Sequence, residues 1–144
     1  MLMRQTLPER ETPHITKIFP TIKKKDFRKL ANGNYCIQVS FNTTGKYACG
    51  FFDVLLEFPY NYPISAPKAW IQKPDVSRKT PHVYEWDKDN HANICYNRPK
   101  KDWHFSYSSY EACLMIESWI TTYCRWLKTQ IWDWPEAGML DHLF

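Results

Sequence analysis

Three prolines stand at regular intervals in the segment Phe58-Pro59-Tyr60-Asn61-Tyr62-Pro63-Ile64-Ser65-Ala66-Pro67. Each fixes φ and removes a backbone donor, so the segment is neither a helix nor a central strand. It has to be a stiff connection between two other elements. Before it lie two runs that alternate as strands do. In residues 35–41, Tyr35, Ile37, Val39 and Phe41 alternate with Cys36, Gln38 and Ser40. In residues 51–58, Phe52, Val54, Leu56 and Phe58 share one face, and Asp53 and Glu57 lie on the other. Asn42-Thr43-Thr44-Gly45 between them is turn material. The two runs predict an antiparallel hairpin with one wet face. After the prolines, Lys68-Ala69-Trp70-Ile71-Gln72 predicts a third strand, ended by Pro74.

Residues 75–107 show no clear period and hold His82, His91 and His104. A long irregular stretch inside a compact domain often carries function. A long helix follows. Ser108 and Glu111 have the spacing of a capping box, just before an apolar run. Cys113, Ile116, Ile120, Cys124 and Leu127 recur at helical spacing, and Ala112, Met115, Trp119 and Trp126 widen the stripe. A helix with so broad an apolar face is deeply packed. Residues 1–20 are interrupted by Pro8, Pro13 and Pro20, so any helix there is short.

The length of 144 residues is that of one domain, read as 1–144. An aromatic share of 17% argues against disorder. Lys and Arg total 19 against 15 Asp and Glu, a net +4 that is low for a dedicated nucleic-acid binder. The run Lys23-Lys24-Lys25, with Arg28 and Lys29, reads as a solvated surface or a docking face for an acidic partner, with no nucleic acid expected. No stretch reaches the ~18 apolar residues of a membrane span, so no membrane is expected. Met1 to Pro13 carries charges and no apolar core, unlike a signal peptide, so the expected address is the cytoplasm.

In that reducing compartment the five cysteines, odd in number and without a CxxC pair, are expected as free thiols. Cys113 and Cys124 fall on the helix's apolar stripe and read as core, and Cys36, which alternates with the apolar face of its strand, reads as inert. Cys49 borders a turn and a strand. Cys95 differs. It lies in the irregular stretch, in Asn93-Ile94-Cys95-Tyr96, with His91 before it and Arg98, Lys100 and Lys101 after it. Positive neighbours raise the thiolate fraction, which nucleophilic attack requires. Two other chemistries use the same residue types. A zinc site of His82, His91, Cys95 and His104 has one ligand-like spacing but lacks the paired knuckles of structural zinc. A Cys–His hydrolase would share the thiolate. No cofactor and no metal is implied.

One ordered set carries a resemblance. A strand leads into Phe58-Pro59-x-x-Tyr62-Pro63-x-x-x-Pro67, then another strand, then Asn93-Ile94-Cys95, then Trp103, then a long helix. This resembles the ubiquitin-conjugating enzymes. The resemblance implies an α+β, UBC-like fold: an antiparallel four-stranded meander packed on a long C-terminal helix. It implies that Cys95 carries a protein as a thioester, with Trp103 as a wall of the site. Ala66 stands where the family has the first proline of a pair. Glu85 and Asp87 stand where its H-P-N element should be, so the asparagine that helps stabilise the oxyanion is absent. The element present instead is Pro81-His82-Val83-Tyr84. That element, the cysteine after Ile94, and a Trp-rich tail are similar to the bacterial ubiquitin-conjugating-like proteins of type II CBASS antiphage operons. Phe19-Pro20, Ala69-Trp70-Ile71-x-x-Pro74 and Trp126-Leu127-x-Thr129-x-x-Trp132 extend the likeness over residues 7–142. The family's Gly before the last Trp is replaced by Gln130 or Ile131.

That branch implies a specific activity. Cys95 takes the C-terminal glycine of a partner, a cGAS-like nucleotidyltransferase or a ubiquitin-like protein, and passes it to a lysine. Activation comes from a separate activating enzyme, or the system encodes none. With the usual Asn missing, His82 is the candidate for oxyanion stabilisation or for orienting the site. His91 and Asn93 read as turn chemistry. The partner's slim tail would lie extended in a groove by Cys95. The rival on the same fold is a non-catalytic binding module that docks such a tail; such variants typically lack the cysteine.

Overall fold

The computed structural model describes residues 4–98 and 100–133. The parts of the expected likeness beyond Asp133 lie outside the described residues. Helix α1 (Leu7–Ile15) is followed by strands β1 (Arg28–Lys29), β2 (Tyr35–Asn42), β3 (Phe51–Glu57), β4 (Lys68–Lys73), β5 (Val83–Trp86) and β6 (Ala92–Ile94), then by helix α2 (Ser109–Thr129). The architecture is α+β. The three strands read from alternation are present, and so are the long helix and its cap. Ser108 N–H and Oγ both donate to Glu111 Oε2, at 3.0 and 2.9 Å.

The sheet has six strands, not the four expected, in the order β1-β2-β3-β4-β6-β5, with every neighbouring pair antiparallel. The first four form the meander. The β5–β6 hairpin then adds to the β4 edge through Trp70↔Asn93 and Ile71↔Ala92. The stretch between Asp75 and Tyr107 read as irregular because its strands are four and three residues long. That is too short for a period of two to register. One core joins sheet and helix. Val39, Phe52, Val54, Leu56 and Ile71 pack with Met115, Ile116, Trp119 and Ile120 of α2. The helix stripe ends early, since Leu127 is exposed. Gln130 closes α2 in the left-handed region at φ 61°.

Two buried carboxylates anchor the proline segment, one just before its start and one at Tyr62 in its middle. Glu57, expected on the wet face, is buried and accepts from Asn32 Nδ2, Asn34 Nδ2 and Trp70 Nε1 at 2.9, 2.8 and 3.0 Å. Burial alone would raise its pKa, yet these donors hold it below the ordinary value. Glu11 of α1 accepts from the Tyr62 hydroxyl at 2.7 Å and from the Ser109 N–H at 2.9 Å. A negative charge there also suits the first turn of α2. One carboxylate thus ties α1, the proline segment and α2 together.

The cysteines depart from expectation at one pair. Cys49 and Cys124 are joined as a disulfide, with Cα atoms 5.9 Å apart, and are not free thiols. The β2–β3 turn, held by Cys49 N–H donating to Thr43 Oγ1 at 2.8 Å, sets Cys49 against α2. Helical spacing shows that Cys124 faces inward but says nothing of a partner 75 residues away. Cys36, Cys95 and Cys113 are free, as expected. Among the described residues, no helix is long and apolar enough to cross a membrane.

Candidate functional site

The β5–β6 hairpin carries the site. Its turn is closed by Asp87, whose carboxylate accepts from the N–H groups of Asp89 and His91 at 2.9 and 2.8 Å and pairs with His91 Nδ1 at 3.1 Å. Cys95 follows β6 directly. Ile94 and Tyr96 on either side of it are buried at 1% and 2% exposure, while Cys95 is half-buried. The two neighbours anchor the backbone in the core and leave the thiol at the rim.

Three groups meet Cys95. Its N–H donates to the His82 carbonyl at 2.9 Å. Its Sγ donates to the Asn97 carbonyl at 3.4 Å. The third is Tyr84. In the β5–β6 ladder Val83 and Glu85 oppose successive residues, Ile94 and Asn93, so Tyr84 is the extra residue of a bulge. Bulges re-aim side chains, and this one sets Tyr84 beside Cys95, close enough for the cysteine to act on its phenol. Burial first, and the neighbouring Cys95, push the phenol well above its ordinary pKa, so it stays protonated at neutral pH. Sequence reading missed Tyr84, although it sits in the quoted four-residue element. Period-two alternation does not anticipate a bulge.

His82 is placed beside Cys95 through its backbone. Its carbonyl accepts from both Cys95 N–H and Trp119 Nε1, the latter at 3.2 Å. Its φ is 57°, a region that a non-glycine residue enters only when the surroundings hold it there. The two donors are that hold. The imidazole packs on Trp132 with centroids 5.2 Å apart, and Trp132 in turn packs on Trp119. Desolvation lowers the His82 pKa, so the ring is neutral at pH 7.

The other expected residues fall as follows. Trp103 donates from Nε1 to the Pro63 carbonyl at 2.8 Å and forms a wall of the groove beside the site. His91 is part of the hairpin turn. Asn93 lies in β6, with Nδ2 donating to Glu85 at 3.4 Å. Arg98 is committed to Asp102, with Nε and an Nη each at 2.9 Å from its carboxylate. His104 pairs with Ser106 Oγ at 2.7 Å and stacks on Phe105. Among the described residues, His82, His91, Cys95 and His104 do not gather as a zinc site would require. Among the described residues Asp87, Asp89 and His91 come together instead, as the hairpin turn.

A groove of about 500 Å³ opens at this rim. Pro67, Ile94, Tyr96 and Trp103 line it, along with Tyr84 and with Asn97, whose carbonyl accepts from the Cys95 sulfur.

Fold and site together define an α+β protein that presents a half-buried free thiol at the mouth of a groove. The chain belongs to the type II CBASS E2 protein family, whose model matches residues 4–139. Membership gives it an E2-like role in CBASS, with a conjugation partner within that system. No curated protein and no solved structure matches the chain.

Proposed function

We propose that this chain is a UBC-like conjugating enzyme whose Cys95 forms a thioester with the C-terminal glycine of a cGAS-like nucleotidyltransferase and passes it to a lysine. The observation that carries this reading is the free, half-buried Cys95 thiol beside a groove that its neighbours Ile94, Tyr96 and Asn97 help to line. The thiolate attacks the activated C-terminal carbonyl, a C–S bond forms and the activating group leaves. A lysine amine then attacks the same carbon. The C–N bond forms, the C–S bond breaks and Cys95 recovers its proton. Both steps pass through an oxyanion, which needs a donor in place of the missing asparagine. The Tyr84 hydroxyl fits that need, being protonated and on the bulge beside Cys95. His82 orients the site through its carbonyl, and its neutral ring is the second donor candidate.

The test is intact mass of the protein co-expressed with its operon neighbours. The expected result is an adduct that thiol removes and whose mass identifies the donor. An unmodified chain that still co-purifies with the donor would overturn the conjugation reading and favour a binding module.

Tyr84→Phe removes only a hydroxyl from an exposed ring. In single-turnover assays it is expected to slow transfer by roughly 10²-fold, the scale for loss of one oxyanion donor. Thermal stability should hardly change. An unchanged rate would remove Tyr84 from the chemistry.

A further inference from the structure

We infer that the groove beside Cys95 seats an extended peptide tail carrying an acidic side chain a few residues before its terminal glycine. This rests on the conjugation reading and adds the chemistry of the donor. The groove floor is apolar, built by Pro67, Ile94, Tyr96 and Trp103, while Lys68 and Lys100 stand among its lining residues and no carboxylate does. Lys68 lies over the Trp70 ring at 5.8 Å, stands opposite the buried Glu57 in the β3–β4 ladder and helps hold that carboxyl low, and pairs with Glu85 at 3.8 Å with both side chains about half exposed. A pair that long and that wet neutralises little. Lys100 has no carboxylate partner among the described residues. The acid nearest to it in sequence, Asp102, is buried and taken by Arg98. The turn therefore spends its one buried carboxylate on Arg98 and leaves Lys100 facing solvent at the groove.

Direction follows from the thiol. Tyr84 and Asn97 line the groove and both neighbour Cys95, so the groove passes beside the thiol. A tail that delivers its carbonyl to Sγ runs back along the groove, extended, at ~3.3 Å per residue. Small residues suit the crowded end. An upstream apolar side chain suits the floor, and an upstream carboxylate answers Lys100.

The experiment uses the wild-type chain and three rhodamine-labelled octapeptides ending in glycinamide, which mimics the uncharged acyl end. They differ at one position, three before the glycine: Asp, Asn or Lys. Fluorescence anisotropy at low salt is expected to rank Asp over Asn over Lys, with about fivefold between the first two, the scale of exposed ion pairs. Salt should flatten the ranking, and Lys100→Glu should invert it. Equal affinities, a reversed order in wild type, or no binding at millimolar peptide would overturn the inference. The two readings fail separately. A thiol-labile adduct without charge ranking removes the acidic tail alone. Charge ranking without any adduct keeps the groove and removes the conjugation chemistry.

Discussion

Cys95→Ser, co-expressed with the donor system, is expected to accumulate an adduct that thiol does not remove, and Cys95→Ala is expected to carry none. Serine keeps the shape of the site and can still donate to the Asn97 carbonyl that the thiol reaches at 3.4 Å. Its oxygen forms an ester in place of a thioester. An ester resists thiol and amine attack, so the second half of the reaction stalls and the partner is trapped. Alanine removes the nucleophile, so the loss is complete. The other free thiols offer no substitute. Cys36 and Cys113 are buried at 1% and 0% exposure, and burial pushes both thiols up in pKa. A thiol-labile adduct on Cys95→Ala would therefore contradict the assignment outright.

Trp119→Ala is expected to lower folding stability by about 4 kcal/mol, in the range for truncating a fully buried Trp. Such a loss is a large share of the ~5–15 kcal/mol that holds a domain together. Trp119 is 0% exposed, stacks on Tyr123 at 5.2 Å and meets Trp132 at 5.4 Å. Its indole N–H also holds the His82 carbonyl that receives the Cys95 N–H. The core and the site therefore share one residue. Trp119→Phe separates the two roles. It keeps most of the ring and should lose about 1–2 kcal/mol. If the carbonyl bond orders the site, the same variant should exchange the Cys95 amide faster and form adduct more slowly. Urea unfolding and hydrogen exchange read the two effects. A Trp119→Ala loss below about 1 kcal/mol would mean that the packing around α2 is not as tight as its burial implies.

Much of this architecture is legible in the chain because hydrophobic period and caps are local signals. The strands β2, β3 and β4 alternate over six to eight residues, and α2 announces its start with Ser108 and Glu111. The strands β1, β5 and β6 are too short to show a period, so the count of four gave way to six. Glu57 looked solvated because alternation places it opposite the apolar face. Three donors from elsewhere in the fold make its burial tolerable. Cys95 stood out because its surroundings are polar, while Tyr84 did not, because a bulge decides where its hydroxyl goes. The Cys49–Cys124 bond is the clearest case of what periodicity omits. Each cysteine has an ordinary local setting, and only the folded turn brings them together.

That bond bears on how any adduct is read. Unreduced and denatured, the chain is a closed ring of residues 49–124 with two free arms, and Cys95 lies within the ring. A ring is more compact than the same chain opened, so it migrates ahead of its reduced form. The thiol that strips a partner from Cys95 also opens the ring. In one gel lane the stripping speeds the band while the opening slows it. Mass resolves the two at once, because opening the ring adds only two hydrogens and stripping removes an entire protein.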